Sequence, residues 1–105
     1  MKYLILAALL LPSIANAELD QTLTVHSKSF RRIQVSANNG QTIALSSTTN
    51  DNLSCQFSYA GKVLEDQKNT KICSVKVVEN PLPANIDVLV FNNNDKTVYV
   101  NVFKD

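Results

Sequence analysis

Cys55 and Cys73 are the only cysteines in the chain, and their chemistry depends on what encloses them. A redox pair needs close spacing of the C-x-x-C kind, and these two lie 18 positions apart, which points to a structural disulfide in an oxidising compartment. Nucleophilic catalysis by serine or cysteine needs a base, and His26 is the only histidine; no serine sits in a G-x-S-x-G turn. Paired-carboxylate chemistry needs two acids converging in a cleft, whereas Glu65-Asp66 and Asp95 stand beside Lys68 and Lys96, the pattern of solvated loop charges. One histidine and two distant cysteines cannot hold zinc. Asn50-Asp51-Asn52 and Asn92-Asn93-Asn94-Asp95 carry hard oxygens but lack the spaced acids of a calcium loop, and asparagine clusters are ordinary in turns. With Gly40 and Gly61 as the only glycines there is no phosphate cradle. No catalytic residue, metal or cofactor is therefore expected, and the functions left are those of a binding protein.

The elements that would position a binding surface are legible from the N-terminus onward. Met1-Lys2-Tyr3, an apolar run from Leu4 to Leu11, and Pro12 to Ala17 ending in Ala15-Asn16-Ala17 have the layout of a secretory signal peptide cleaved after Ala17. The run falls short of the roughly 20 apolar residues that span a bilayer. No later stretch is longer, so no membrane segment is expected in the mature chain, residues 18–105. The destination would be periplasmic or secreted, which agrees with a disulfide. Losing Lys2 leaves nine basic and nine acidic side chains, a balance that gives no reason to expect nucleic acid.

Apolar residues in the mature part recur with a period of two. Leu23 and Val25, Ile33 and Val35, Ile43 and Leu45, Leu53 to Tyr59, Cys73 to Val77, Ile86 to Val90 and Val98 to Val102 alternate with polar positions. This predicts antiparallel strands and no helix. Asn38-Asn39-Gly40 supplies residues suited to a tight hairpin turn, Ala60-Gly61-Lys62 a second reversal, and Asn92 to Lys96 a third. Pro81 and Pro83 keep Glu79 to Asn85 out of a central strand and suit a crossover between sheets. Seven or eight short strands at this spacing predict a small β-sandwich in one domain. Both cysteines fall on inward-facing sets, so the disulfide joins either neighbouring strands or the two sheets.

Two surfaces compete as the place where a partner binds. Lys28, Arg31 and Arg32 form an acid-free basic stretch near His26, read either as a solvated face or as a site for an anionic partner. Tyr99 and Phe103 lie on the face opposite Val98, Val100 and Val102, with Leu89 and Phe91 as candidates to adjoin them. That face is either covered within the fold or open to a partner. The aromatic pair is expected to supply the contact, with Arg31 and Arg32 flanking it electrostatically.

The succession Phe30-Arg31-Arg32-Ile33-Gln34-Val35 to Asn39-Gly40-Gln41-Thr42-Ile43-Ala44-Leu45 resembles the opening strand, glycine turn and strand of bacterial pre-peptidase C-terminal domains. Leu53 to Tyr59 with Ala60-Gly61-Lys62-Val63, and a closing hairpin from Asn92 to Phe103, are similar in layout to the rest of that sandwich. The resemblance spans residues 19–105. It implies a non-catalytic accessory or binding module, and the chain departs from it by standing alone, by carrying two cysteines and by lacking the acidic cluster of a calcium-binding member. Three roles remain in view: a binding module of the cell envelope with a protein or glycan partner, an inhibitor of a secreted or periplasmic hydrolase, and a subunit of a surface assembly.

Overall fold

The computed structural model describes residues 17–78 and 84–105; the expected signal peptide, apart from Ala17, and the Glu79–Pro83 part of the crossover lie outside them. Eight strands follow in order: β1 (Glu18–Val25), β2 (Ser29–Ala37), β3 (Thr42–Ser47), β4 (Leu53–Tyr59), β5 (Lys62–Thr70), β6 (Ile72–Lys76), β7 (Ala84–Asn92) and β8 (Val98–Lys104). They form two four-stranded sheets, sheet I in the order β1-β8-β3-β6 and sheet II in the order β2-β7-β4-β5, with every pairing antiparallel. No helix occurs among the described residues.

Only β4 and β5 are consecutive strands that pair with each other; every other connection passes from one sheet to the other. Asn38 to Gly40 and the segment after Asn92 are therefore not hairpin turns, as their residue types had suggested, but links between sheets. Turn residues fix where the chain reverses, while the partner strand is decided by the burial of each inward face. Gly40 does adopt the left-handed backbone, at φ 92°. The true hairpin is Tyr59-Ala60-Gly61-Lys62, whose two central residues sit at φ 50° and 82°, the geometry of a two-residue turn that matches strand twist.

Strand β5 reads Lys-Val-Leu-Glu-Asp-Gln-Lys-Asn-Thr and has no apolar alternation, so Glu65-Asp66, expected in a loop, lie within an edge strand. Its ladder with β4 supplies what the pattern does not. Gln67 of β5 reaches across to sheet I, where its Nε2 donates to the carbonyl of Ser74 at 2.9 Å and its Oε1 accepts from the Ser74 N–H at 2.9 Å. One amide thus satisfies both backbone groups of an edge residue in β6 and blunts that edge.

The inward faces meet in one core. Val25, Val35, Ile43, Leu45, Leu53, Phe57, Ile86, Val88, Val90, Val98, Val100 and Val102 are buried, each burial worth about 1.5–3 kcal/mol. The disulfide from Cys55 in β4 to Cys73 in β6 crosses this core and joins the two sheets, with a Cα–Cα separation of 6.1 Å.

Candidate binding surface

The strand register of sheet II brings side chains distant in sequence into rows on its outer face. Phe30 of β2 stands opposite Phe91 of β7, and Phe91 stands opposite Ser54 of β4. The next row holds Arg32, Leu89 and Gln56. Phe30 is 57% and Phe91 37% exposed, and their rings lie 5.8 Å apart at 37°, within the range of a favourable tilted pair. Leu89 is half-buried beside them because β7 is a central strand. Two exposed phenylalanines in contact form an apolar patch that nothing within the described residues covers. Arg32 borders it through an ion pair with Asp87, Nη2 to Oδ1 at 3.7 Å, and Gln34 donates to the same carboxylate at 3.0 Å.

Beside this patch the sandwich ends in loops held together by Asn92. Asn92 occupies the inward parity of β7 after Ile86, Val88 and Val90, and is fully buried. Its Nδ2 donates to the carbonyls of Val25 at 3.0 Å, His26 at 3.2 Å and Lys96 at 2.8 Å, while its Oδ1 accepts from the N–H and Nδ2 of Asn94. Asn94 passes the connection on to the carbonyl of Asn52 at 3.0 Å. Three loops, 26–28, 48–52 and 93–97, are so tied into one body. Lys28 adds a bond to the carbonyl of Asn93 at 2.7 Å and an ion pair with Asp95 at 3.2 Å.

Asp51 anchors the middle loop. It accepts from the hydroxyls of Thr49 and of Ser47, the latter at 2.8 Å, and pairs with Lys96 at 3.2 Å. The Thr49 and Ser47 hydroxyls, with the Lys96 ammonium, hold its carboxyl at about 2 against a smaller opposing effect of burial. Between these loops and the phenylalanine pair lies a recess bounded by Asn52, Ser54, Asn69, Phe91, Asn93 and Asn94.

The residues singled out in the sequence are dispersed. Tyr99 is 52% exposed, as the aromatic-face reading requires, but Phe103 is half-buried. Asn101, bonded by the Thr22 hydroxyl at 2.9 Å, stands between them. Four residues of strand separate their Cα atoms by about 13 Å, so the two rings are not in contact with each other. Both belong to the outer face of sheet I, where Thr24 stands opposite Tyr99 and Leu19 opposite Phe103. Leu89 and Phe91 do not adjoin them, because β7 belongs to the other sheet.

Arg31 and Arg32 do not flank the aromatic face together either. Neighbours in a strand point to opposite sides. Arg32 joins the outer face of sheet II, and Arg31 bends over the β1–β2 edge, its Nη1 donating to the carbonyl of Thr24 at 3.1 Å. Lys28 leaves the group for the loop end.

Sequence reasoning missed Phe30, because its partner is set by a register linking residues 61 positions apart. It also missed Asn92 as a hub, although a polar residue at the inward parity of an apolar strand is a readable signal. Among the described residues no group of three or more His, Cys, Asp or Glu side chains is gathered as a metal site requires, and no helix is long and apolar enough to cross a membrane.

No protein-family model matches this chain. No curated protein matches it either. Among solved structures it is similar to the crystal structure of Aeromonas hydrophila PliG, a periplasmic lysozyme inhibitor of g-type lysozyme, at 9% identity and a TM-score of 0.56 over 85% of this chain and 84% of that one. A de novo designed double-stranded β-helix solved by NMR matches over 81% of this chain and 96% of its own length, at 10% identity and a TM-score of 0.49. At 9% identity the likeness to PliG is one of fold.

Proposed function

We propose that this chain is an exported, non-catalytic binding module that engages its partner through the outer face of sheet II and the adjoining loop end. The observation that carries the reading is the exposed Phe30–Phe91 pair set beside loops that Asn92 locks together. Aromatic side chains bury much area at little entropic cost, and loops already ordered lose little freedom on association. The signal-peptide layout of residues 1–17 and the Cys55–Cys73 disulfide support an extracytoplasmic, periplasmic or secreted location. Kinship with the pre-peptidase C-terminal sandwich domains is part of the same proposal and agrees with an accessory role.

Co-sedimentation with the envelope fraction of the producing cell tests it. The chain and a Tyr99→Ser variant should be retained alike, whereas Phe30→Ser with Phe91→Ser should abolish retention without unfolding the domain. Equal retention of all three would remove the sheet II face from the proposal.

A second reading is favoured by the shared fold with PliG: inhibition of a cell-wall hydrolase, in which the bound partner is the enzyme. A stiff loop end suits it, since an inhibitor must present a fixed surface to an active-site cleft. Residual activity of a g-type lysozyme titrated with the chain decides it; undiminished activity at excess chain removes this reading and leaves the first untouched.

A further inference from the structure

The recess beside Phe91 has the chemistry of a sugar subsite, and we infer that it binds a short, uncharged saccharide; the inference rests on the sheet II face being the binding surface and names the class of ligand it takes. Phe30, Phe91, Ser54 and the neighbourhood of Asn69 follow one another across β2, β7, β4 and β5. At about 4.8 Å between strands this row extends about 14 Å. One half is aromatic and the other is amide and hydroxyl.

The side-chain amides of Asn52, Asn69 and Asn93 border the recess and make no hydrogen bond within the described residues. Asn94 differs, since its Nδ2 is engaged by the Asn52 carbonyl and Asn92 Oδ1. A free amide offers two donors and an acceptor at once, which is what a vicinal pair of hydroxyls or an acetamido group requires. An apolar ring wall beside such groups matches a pyranose, whose C–H face is apolar and whose rim is polar.

Charge argues for a neutral ligand. Most charged side chains around the surface are matched within the molecule, Lys28 with Asp95, Arg32 with Asp87, Lys96 with Asp51 and Lys68 with Asp66; Lys71 has no acid partner among the described residues and is held instead by the Asn50 carbonyl at 2.8 Å. A sulfated or phosphorylated ligand would meet paired cations at Lys28, Arg32, Lys68 and Lys96, and at Lys71 a single ammonium already donating to a backbone carbonyl, which is why the sulfated competitor is part of the test. The backbone holds the recess in shape. Asn69 sits at φ 56°, its N–H donating to the Ser54 hydroxyl at 2.9 Å, and the Asn92–Asn94–Asn52 chain fixes the opposite wall.

The test is an NMR titration of the isotope-labelled exported chain with chitotetraose, cellotetraose and maltotetraose at millimolar concentration, with a sulfated tetrasaccharide as competitor. At least one neutral tetrasaccharide should shift the side-chain amide signals of Asn52, Asn69 and Asn93, and the sulfated one should not displace it. Asn52→Ala and Asn93→Ala, which remove amides the fold does not use, should each weaken binding at least five-fold at an unchanged melting temperature. Phe91→Tyr should retain binding and Phe91→Leu should lose it. The inference is overturned if no neutral saccharide shifts these signals, if the largest shifts fall at Tyr99 and Phe103, or if the alanine variants bind as the parent does. Retention on the envelope that still depends on Phe30, without any saccharide response, would defeat the sugar and leave the binding module standing; loss of both would defeat both.

Discussion

Asn92 shows how one buried amide can organise a surface it does not touch. Three backbone carbonyls face its Nδ2, so Asn92→Asp, nearly identical in shape, would set an oxygen against three oxygens. Urea denaturation should show a loss of more than about 2 kcal/mol for this variant, the cost of leaving several buried groups unmatched. Asp51 makes a complementary prediction. Its folded pKa of about 2 lies below the ordinary carboxylate value, so the stability it contributes is present above that ordinary value and drains away as pH falls toward 2. Stability measured from pH 5 down to pH 2 should therefore decline less steeply in Asp51→Asn than in the parent. Asn92 left a signal in its inward parity after Ile86, Val88 and Val90, but Asp51 did not: it sat in an ordinary asparagine-rich turn, and only its hydroxyl neighbours Ser47 and Thr49, placed by the fold, give it a special environment.

At the scale of strands, the period-two pattern located seven of the eight elements because each of those buries one face. Strand β5 escaped it because an edge strand with both faces polar carries no alternation to read. Which strands pair was less legible still. Asn38 to Gly40 looked like a hairpin and proved a link between sheets, since local turn residues say nothing of the strand that a buried face selects. The same limit hid the proposed binding surface: Phe30 and Phe91 become neighbours only through the β2–β7 register, while Tyr99 and Phe103, close in sequence, are kept apart by Asn101. The one true hairpin offers a test. Ala60 holds a left-handed backbone that alanine tolerates poorly and asparagine well. Ala60→Asn, which creates an Asn-Gly turn, should stabilise the domain by about 1 kcal/mol or less in denaturant titration.

For the whole molecule, the sandwich is a scaffold that places one apolar patch and one stiff loop cluster side by side. Its two sheets are held by the core and by a single covalent tie, the Cys55–Cys73 bond. Closing a loop of that length is worth about 3 kcal/mol in the chain-entropy model. Replacing both cysteines by alanine should lower the melting temperature by about 10–20 °C for a domain of this size, with the strand signature in circular dichroism retained below the transition. The all-β class, the disulfide and the layering of strands were readable from alternation and cysteine count, because burial imposes them on the sequence directly. The surface was legible only in part: alternation turned Tyr99 and Phe91 outward, but which exposed side chains adjoin is set by the strand register.

The central claim is that the outer face of sheet II, and not that of sheet I, meets the partner. Hydrogen exchange read by mass spectrometry, with the chain free and then bound to its envelope fraction, tests it most directly. Protection should appear in peptides spanning Phe30 to Arg32 and Leu89 to Asn94, with Tyr99 to Phe103 exchanging as in the free chain. Protection confined to Tyr99 to Phe103 and Leu19, with the sheet II peptides unchanged, would contradict the account.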